Sequence, residues 1–362
     1  MTVLVTGGAG YIGSHAVMAL RAGGVAAVVL DDLSTGHGSL VPPDVPLVVG
    51  SIGDRMLVAD TLRRYAIESV MHFAAKIVVP ASVERPLEYY NSNVANSLCL
   101  IEACVAQGVR QIVFSSSAAV YGQPSTVPVP EGAPTEPLNP YGTTKLMIEW
   151  VLRDAAAAHG LRYAALRYFN VAGADALGRA GQVSRHATHL IKSACQAALG
   201  LRPEIAIFGT NYLTPDGTCI RDYIHVSDLA DIHLLALGRL QEGGGSFVVN
   251  CGYGRGYSVR EVLSAVERIN GRPLPVREGP RRPGDSPALV ADTRRLADLL
   301  GWRSRGDGLD EIVRSALAWE RRLLTFDFSA DPDSPRASAA ATRLDSTAGV
   351  TREFADQLRA GV

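Results

Sequence analysis

The chain lacks the charge pattern and the apolar runs that mark several classes of protein. Its 362 residues carry a formal net charge of −1, so there is no excess of basic residues to attract nucleic acid or an anionic membrane surface. No uninterrupted apolar run is long enough to span a bilayer. We therefore expect neither a nucleic-acid partner nor a membrane partner.

Cysteine is scarce and unpaired in its spacing. There are five cysteines, with no CxxC pair and no cluster with histidine at metal-ligand spacing. We therefore expect no metal site and a reducing compartment. Residues 3–6 run directly into glycines and resemble a core strand rather than a signal peptide, which favours a cytoplasmic location.

The first half alternates short β-branched runs with longer helical patterns. This alternation predicts βαβ units and a parallel sheet covered by helices on both faces. We expect an α/β protein with a Rossmann-type doubly wound parallel sheet and a smaller C-terminal α+β substrate-binding lobe. The predicted strands are residues 3–5, 26–30, 47–49, 69–73 and 111–114.

The second half is less regular. Residues 164–169 predict another core strand, and the following Gly/Pro clusters at 173–181, 209–217 and 271–287 indicate loops. Helical patterns follow at 227–240, 258–269 and 309–323, with Ser227 and Ser258 as expected N-caps. We expect an NAD-binding domain over 1–170, a mainly substrate-binding lobe over 171–328 with segments returning to the first domain, and a mobile tail over 329–362.

A glycine-rich segment lies between the first strand and the first helical pattern. Gly7 permits a tight turn, Gly10 lets the backbone approach a phosphate, and Gly13 allows close helix packing. The helix N-terminus favours the anion. Asp31 and Asp32 end the next strand, where an acidic side chain accepts from both ribose hydroxyls, so the pattern favours NAD over NADP.

Tyr141 and Lys145 are four residues apart at the start of a helical pattern. That spacing places the phenol and the ammonium on one helix face. The lysine and an oxidised nicotinamide both favour the phenolate, so Tyr141 is a candidate base near neutral pH. Ser115, Ser116 and Ser117 follow the strand at 111–114, and a hydroxyl there is placed to hold a substrate oxygen. No GxSxG elbow supports a serine hydrolase.

Several segments, in order over residues 1–325, resemble the extended short-chain dehydrogenase/reductases and, among them, the nucleotide-sugar 4-epimerases. They are TGGAGYIGSH from Thr6, HFAAK from His72, RPLEYYNSNV from Arg85, FSSSAAVYG from Phe114, NPYGTTK from Asn139, LRYFNVAGA from Leu166, DGTCIRDYIHVSDLA from Asp216 and PRRPGD from Pro280.

The resemblance implies a role for each matching residue. Ser117, Tyr141 and Lys145 are the implied catalytic group, with Tyr141 as the base and Lys145 holding the nicotinamide ribose. The implied NAD contacts are Gly7, Gly10, Tyr11, Ile12, Gly13, Asp31, Asp32, Ser51, Ile52, Phe73, Ala74, Ala75, Lys76, Asn93, Ser115, Tyr141, Lys145 and Tyr168. The implied substrate contacts are Ser117, Tyr141, Phe169, Asn170, His189, Leu190, Phe208, Arg221, Tyr223, Arg282 and Asp285.

The implied activity is the NAD-dependent inversion of C4 in a UDP-sugar, first of all UDP-glucose and UDP-galactose, through a transient 4-keto intermediate. The enzyme is then an isomerase that ends each turnover without net oxidation, so tight retention of NAD is expected. The resemblance also implies a homodimer. Helical patterns at 86–106 and 145–158 are suited to pairing across a two-fold axis.

A few positions depart from the family pattern. Ser51 stands where an Asp contacting adenine is common, and Lys76 lies one position earlier than the usual lysine. Ala187 and Lys192 replace a common Glu and a common Pro near the sugar-nucleotide loop. Leu289 occupies the position of a bulky gate on the sugar pocket in some members.

Three alternatives stay open. A 4-epimerase of UDP-N-acetylhexosamines or UDP-pentoses needs the same machinery. A nucleotide-sugar 4,6-dehydratase needs an Asp–Glu pair after the serine, where this chain has Ala118 and Ala119. A non-catalytic NAD-sensing protein keeps the fold without turnover, and the intact Ser117, Tyr141 and Lys145 argue against it.

Overall fold

A computed structural model of the chain describes residues 1–184, 188–282, 285–304 and 308–325. The expected tail at 329–362 and the departure at Ala187 lie outside these residues. Within the described ranges the strands are β1 (Thr2–Thr6), β2 (Ala26–Asp31), β3 (Leu47–Val49), β4 (Ser69–His72), β5 (Gln111–Ser117), β6 (Arg162–Tyr168), β7 (Asn170–Ala172), β8 (Ile205–Phe208), β9 (Ile220–His225), β10 (Phe247–Cys251), β11 (Gly256–Ser258), β12 (Val276–Gly279) and β13 (Ala288–Leu289).

The helices fall between and after these strands. In the same ranges they are α1 (Tyr11–Ala22), α2 (Arg55–Arg64), α3 (Val79–Glu84), α4 (Pro86–Tyr89), α5 (Asn96–Ala106), α6 (Pro140–His159), α7 (Leu190–Ala198), α8 (Val226–Gln241), α9 (Val259–Asn270), α10 (Arg294–Leu300) and α11 (Leu309–Leu323). Among them none is long and apolar enough to cross a bilayer.

Seven parallel strands form the main sheet, in the order β10-β6-β5-β4-β1-β2-β3. The expected Rossmann-type doubly wound sheet is confirmed. Successive side chains of β1 enter opposite cores because strand side chains alternate between the two faces. Val3 and Val5 pack in one core with residues of α1 and α8. Leu4 packs in the other with residues of α2, α5 and α6.

The strand β5 is longer than the sequence predicted. Ser115, Ser116 and Ser117 continue the strand, paired with Leu166, Arg167 and Tyr168 of β6, rather than following it as a loop. Since side chains alternate along a strand, the three hydroxyls point to alternating faces.

Two helix boundaries test the expected N-caps. The helix α8 begins at Val226 with His225 as its N-cap, so the assignment of Ser227 is wrong. The Nδ1 atom of His225 accepts the Ser227 amide at 3.2 Å and replaces a hydroxyl cap. Ser258 does cap α9, in a capping box with Glu261.

The helical pattern at 86–106 is divided by a π-helical segment, Tyr90–Ala95, between α4 and α5.

Smaller sheets follow the main one in sequence. The strand β9 pairs with β7, β11 and β13, and β8 pairs with β12. The strand β12 lies inside the segment 271–287 that was predicted as loop. The helices α7, α9 and α11 share a third apolar core with these strands. This arrangement fits the expected smaller α+β region.

Candidate active site

The turn between β1 and α1 has no room for side chains. Gly7 has a φ of +71°, and a Cβ atom on it would lie 2.6 Å from the Ala74 backbone nitrogen. A Cβ on Gly13 would lie 2.2 Å from the Gly7 carbonyl oxygen. Gly10 is the extended residue immediately before α1. The turn leads directly into the N-terminus of α1, and the positive end of that helix favours an anion such as a phosphate.

Asp31 fixes the turn from the end of β2. Its Oδ2 accepts the Ala9 amide at 2.9 Å and its Oδ1 accepts the Leu33 amide at 2.9 Å. Burial raises the pKa of this carboxyl, while the two amides oppose that rise. Each oxygen retains a lone pair for a further donor such as a ribose hydroxyl. Asp32 is exposed and its Oδ1 accepts the Ser34 amide at 2.9 Å.

The residues at this edge fit a bound NAD. The glycine turn leads into a helix N-terminus, Asp31 keeps acceptor capacity, and Ser51 and Ile52 follow β3. Ser51 Oγ accepts the Gly53 amide at 3.1 Å, so this hydroxyl closes its own turn. Phe73, Ala74 and Ala75 directly follow β4, and Ala74 is the residue against which Gly7 packs.

Lys76 and Asn93 are tied to protein groups. The Lys76 ammonium pairs with Glu88. Asn93 is fully buried, its Oδ1 accepts the Lys76 amide at 2.8 Å, and its Nδ2 donates to the Lys76 carbonyl at 3.0 Å and to Thr144 Oγ1 at 3.1 Å. Asn93 therefore fastens the segment after β4 to the helix α6 that carries Tyr141.

Tyr141 and Lys145 lie on the first turns of α6, where Asn139 caps the helix by accepting the Gly142 amide at 2.9 Å. Tyr141 is buried and hydrogen bonds to Ser117. Burial raises the pKa of the phenol to about 12, although the Ser117 hydrogen bond opposes that rise. The phenolate predicted from the Lys145 spacing is therefore not favoured by the protein alone.

Lys145 is buried beneath the same group. Its Nζ atom donates to the Ser115 carbonyl at 2.8 Å and lies 5.9 Å from the centroid of the Tyr141 ring. Burial lowers the pKa of this ammonium to about 7. The hydroxyls of Ser115 and Tyr168 hydrogen bond to each other beside it. The carboxyl edge of the sheet thus brings Ser117, Tyr141 and Lys145 together.

A buried ion pair missed by the sequence analysis supports this edge. Arg167 of β6 binds both carboxylate oxygens of Glu149 on α6 and donates to the Tyr121 phenol at 3.0 Å. Ser116 Oγ also donates to Glu149 at 2.5 Å. Burial alone would lower the pKa of Arg167, but Glu149 raises it overall, so the cation persists. No motif in the sequence pairs these two residues, which are 18 positions apart.

A cavity of about 400 Å³ opens in the second half of the chain, and we call it the arginine cavity. Tyr11, the first residue of α1, lines it and donates to the Gly173 carbonyl at 2.7 Å. Its lining includes the predicted substrate residues Asn170, His189, Leu190, Phe208, Arg221, Tyr223, Arg282 and Asp285, together with Arg202, Arg277, Gln182, Lys192, Trp319 and Glu320, which the sequence analysis did not assign to a site.

Three predicted substrate residues lie elsewhere among the described residues. Ser117 and Tyr141 are at the carboxyl edge of the main sheet. Phe169 follows β6 and is buried in a small apolar cluster with Val120, so its ring serves the core. The backbone amide of Phe169 is occupied by the Cys251 carbonyl at 3.2 Å.

Two guanidinium groups of the cavity are held by weak partners. The Arg282 guanidinium carbon lies 3.7 Å from the centroid of the Phe208 ring. Arg221 Nη2 is 3.6 Å from Asp285 Oδ1, and its Nη1 donates to the Ile220 carbonyl at 2.9 Å. Both groups keep donors for phosphate oxygens, which guanidinium binds in a bidentate manner.

A parallel sheet with a glycine phosphate turn and a Ser–Tyr–Lys group at one edge defines the short-chain dehydrogenase/reductase class of enzymes. Within that class, a model of the family described as "NAD dependent epimerase/dehydratase family" matches residues 3–252. The chain belongs to this family.

Relatives with known names agree with that assignment. The chain is 60% identical to a UDP-glucose 4-epimerase of Azospirillum brasilense over 321 residues, which are 89% of this chain and 92% of the relative. The crystal structure of a Brucella ovis UDP-glucose 4-epimerase with NAD is similar, with 48% identity, a TM-score of 0.85 and coverage of 88% and 97% of the two chains. A Bifidobacterium longum UDP-glucose 4-epimerase with NAD+ and UDP gives 37% identity, a TM-score of 0.84 and coverage of 89% and 98%.

Proposed function

We propose that the chain inverts C4 of a UDP-sugar with NAD as its cofactor, and that UDP-glucose and UDP-galactose are its main pair. The observation that carries the proposal is the arginine cavity. It is lined both by Tyr11, at the head of the glycine-turn helix, and by Arg221 and Arg282. One wall of the proposed diphosphate site therefore lies at the first residue of α1, next to the glycine turn. The named relatives support the same activity.

NAD is held by the glycine turn, Asp31 and the residues after β3 and β4. When bound, it supplies the acceptor for the C4 hydride and, once reduced, the donor. The remaining chemistry belongs to the chain. The N-terminus of α1 binds the pyrophosphate, and Asp31 binds a ribose hydroxyl with its remaining lone pairs.

Tyr141 is the group that takes the proton from the sugar 4-hydroxyl and returns it. Its phenol must lose a proton to act as a base, and in the chain alone burial holds its pKa at about 12. The Lys145 ammonium, 5.9 Å from the ring, favours the phenolate by its charge. Ser117 hydrogen bonds to the phenol and is placed to hold the same sugar oxygen.

The arginine cavity holds the UDP end of the substrate. Arg221 and Arg282 bind the diphosphate through guanidinium donors, and the Phe208 ring lies directly beneath Arg282. If the nucleotide is held in this way, the sugar can still rotate about its link to the diphosphate. Either face of C4 can then be turned toward the carboxyl edge of the main sheet. Inversion requires this freedom.

Leu289 is the residue that bears on the choice of sugar. It lies in β13, is half-buried against the cluster of Phe169 and Val120, and its backbone pairs with Arg221. Leucine alone does not decide the sugar, so a UDP-N-acetylhexosamine stays an alternative substrate. We expect Leu289→Tyr to reduce turnover of UDP-N-acetylgalactosamine more than that of UDP-galactose. Equal losses on both sugars would remove Leu289 from this role.

We also propose that the chain forms a homodimer through α5 and α6. Leu98 on α5 and Trp150 on α6 expose large apolar side chains, and Leu87 on α4 is 81% exposed. A second copy that packs these helices against their equivalents would cover them. Solution scattering at micromolar concentration should give the mass of two chains, and Leu98→Glu/Trp150→Glu should give one. A monomeric wild type would reject the proposal.

A cytoplasmic location is consistent with the cysteines, all five of which are free thiols in the structure. Four are buried, and burial raises the pKa of the Cys104 and Cys195 thiols to about 12, so both stay protonated and unreactive. We expect the enzyme to keep full activity in millimolar glutathione.

The proposed function is tested by NMR of the purified protein with UDP-galactose, UDP-N-acetylgalactosamine and UDP-xylose in separate samples, without added NAD. We expect the anomeric proton of UDP-glucose to appear fastest. No epimer from any of them, even with NAD added, would overturn the proposal in favour of an NAD-sensing protein.

A further inference from the structure

A buried ion pair forms part of the wall of the arginine cavity. Lys192 of α7 and Glu320 of α11 contact each other, and each side chain is only 4% exposed. The Lys192 Nζ atom also donates to the Gln182 carbonyl at 2.7 Å. All three residues line the cavity. Two helices that are distant in sequence are thus joined at the site of the proposed nucleotide.

Gln182 links the ion pair to a residue that faces the cavity. Its carbonyl oxygen accepts from Lys192 and from the Trp319 indole nitrogen at 3.2 Å. Its side-chain Nε2 lies 2.8 Å from Nδ1 of His189. His189 is the N-cap residue of α7 and lines the same cavity. A chain of contacts therefore runs from Glu320 through Lys192 and Gln182 to the His189 ring.

Stability alone does not explain this pair. Taking two charges out of water costs several kcal/mol per ion, and apolar residues of similar volume are often equally stable or more so. What apolar residues cannot do is donate to the Gln182 carbonyl.

We propose that Lys192 and Glu320 are positioning residues for the nucleotide end of the site. Glu320 fixes the Lys192 ammonium, Lys192 fixes the Gln182 carbonyl, and the Gln182 amide orients the His189 ring toward the bound nucleotide. This inference rests on the proposed function because it takes the ligand to be UDP. It assigns the pair to nucleotide binding and not to the chemical step at C4.

The test is Lys192→Met/Glu320→Met, which removes both charges together and leaves neither buried alone. UDP binding is measured by calorimetry, and KM and kcat by NMR turnover of UDP-galactose. We call the chain of contacts from Glu320 to the His189 ring the relay. Its loss should raise the Kd for UDP and the KM by about tenfold, equivalent to roughly one hydrogen bond. The melting temperature and kcat should stay near those of the wild type.

The matched control is the exposed pair of Arg268 on α9 and Asp310 on α11, which also anchors α11 but lies outside the cavity. Arg268→Met/Asp310→Met should leave UDP binding unchanged. An equal loss of UDP affinity in this control would show that any weakening of the anchoring of α11 reduces binding. That result would overturn the inference.

A charge-reversed variant distinguishes the contribution of the Lys192–Gln182 hydrogen bond from that of the ion pair itself. Lys192→Glu/Glu320→Lys keeps two opposite charges in contact but places a carboxylate beside the Gln182 carbonyl, where it cannot donate. We expect the same loss of UDP affinity as in the double methionine variant. Wild-type affinity for UDP in the charge-reversed variant would show that UDP binding needs only the ion pair. It would then contradict a role for the Lys192–Gln182 hydrogen bond.

Gln182→Ala keeps the test decisive if neither double variant folds. It leaves the ion pair and the backbone carbonyl in place and removes only the amide that contacts His189. The Kd for UDP should rise by about threefold, as for one weak hydrogen bond. An unchanged Kd would overturn the inference. If the wild type does not bind UDP, the proposed function is overturned as well. If only the variants lack the expected change in Kd, this inference fails and the proposed function stands.

Discussion

The carboxyl edge of the main sheet and the arginine cavity are built in different ways. At the edge, buried polar groups bind nearby backbone: Asp31 binds the Ala9 amide and Lys145 binds the Ser115 carbonyl. At the cavity, the exposed Arg282 guanidinium rests on the Phe208 ring, and the partly buried Arg221 lies 3.6 Å from a carboxylate. Lys192 there contacts a residue 128 positions away.

This difference indicates a division of labour. The edge is fixed before any ligand binds because its polar groups are buried and hydrogen bonded, which is the condition for precise chemistry. The cavity retains charged donors for a ligand that must enter and leave at every turnover. Substitutions at the edge should therefore affect kcat, while substitutions at the cavity should affect binding.

The largest expected effect is that of Tyr141→Phe at the edge. Loss of the phenol that hydrogen bonds to Ser117 removes the proton acceptor, and kcat should fall about 10²- to 10⁴-fold. UDP affinity and melting temperature should not change. Tyr163→Phe on β6, another buried tyrosine, is the control. An active Tyr141→Phe variant would contradict the assignment of the base.

Arg282→Ala should produce the opposite pattern. Loss of a charged donor to the diphosphate should raise the Kd for UDP about 10- to 100-fold, while kcat at saturating substrate should change little. Arg294→Ala serves as the control because Arg294 is an exposed arginine paired with Asp292 on the surface. A fall in kcat with unchanged UDP affinity would break the division between edge and cavity.

Gly13→Ala tests the fixed geometry of the edge. The added Cβ would lie 2.2 Å from the Gly7 carbonyl oxygen, so the glycine turn must shift. We expect a loss of roughly 1 to 3 kcal/mol of stability, as for overpacking, together with loss of NAD from the purified protein. In Gly23→Ala, at the other end of α1, the added Cβ meets neighbours no nearer than 3.5 Å. That variant should keep its NAD.

A smaller effect concerns buried histidines near the edge. Burial lowers the pKa of His72 to about 3 and those of His15 and His233 to about 4. Below pH 6.5 the unfolded chain binds a proton at each position and the folded chain does not. The free energy of unfolding is therefore highest above pH 6.5, and each histidine lowers it by about 1.4 kcal/mol per pH unit as the pH falls toward 4.

His233→Phe should weaken that dependence. Its Nε2 has no partner in the described structure, and its ring centroid lies 4.7 Å from that of Phe73. Its Nδ1 lies 2.8 Å from the Leu229 carbonyl oxygen of the same helix, and this is the one printed hydrogen bond that phenylalanine would lose. Between pH 7.5 and pH 5.0, urea unfolding should show a pH-dependent change in the free energy of unfolding that is smaller by about 2 kcal/mol, an average slope smaller by about 0.8 kcal/mol per pH unit. The exposed His159→Gln is the control. An unchanged slope would contradict the proposed uptake of protons on unfolding.

The carboxyl edge could be predicted from sequence because its signals are local. Glycine spacing, an acid at the end of β2 and a four-residue helical spacing each specify geometry over a short stretch. The protonated state of the Tyr141 phenol could not be predicted, because its pKa depends on burial by segments far away in sequence. The same holds for the pairing of Lys76 with Glu88.

The cavity was predictable only through resemblance. Family motifs pointed to Arg221 and Arg282, and both line the arginine cavity. Gln182, Lys192 and Glu320 carry no pattern that links them, since the contact depends on how α7 packs against α11. The cap of α8 was also not predicted. His225 caps this helix instead of Ser227, because the ring nitrogen of His225 accepts a backbone amide where a hydroxyl was expected to do so.

Hydride transfer at C4 can be tested by following UDP-galactose in D₂O with the purified protein. We expect UDP-glucose that keeps protium at C4, because the hydrogen leaves and returns without exchange with solvent. Deuterium at C4 would indicate removal and return of a proton instead, and would contradict the role given to NAD and Tyr141.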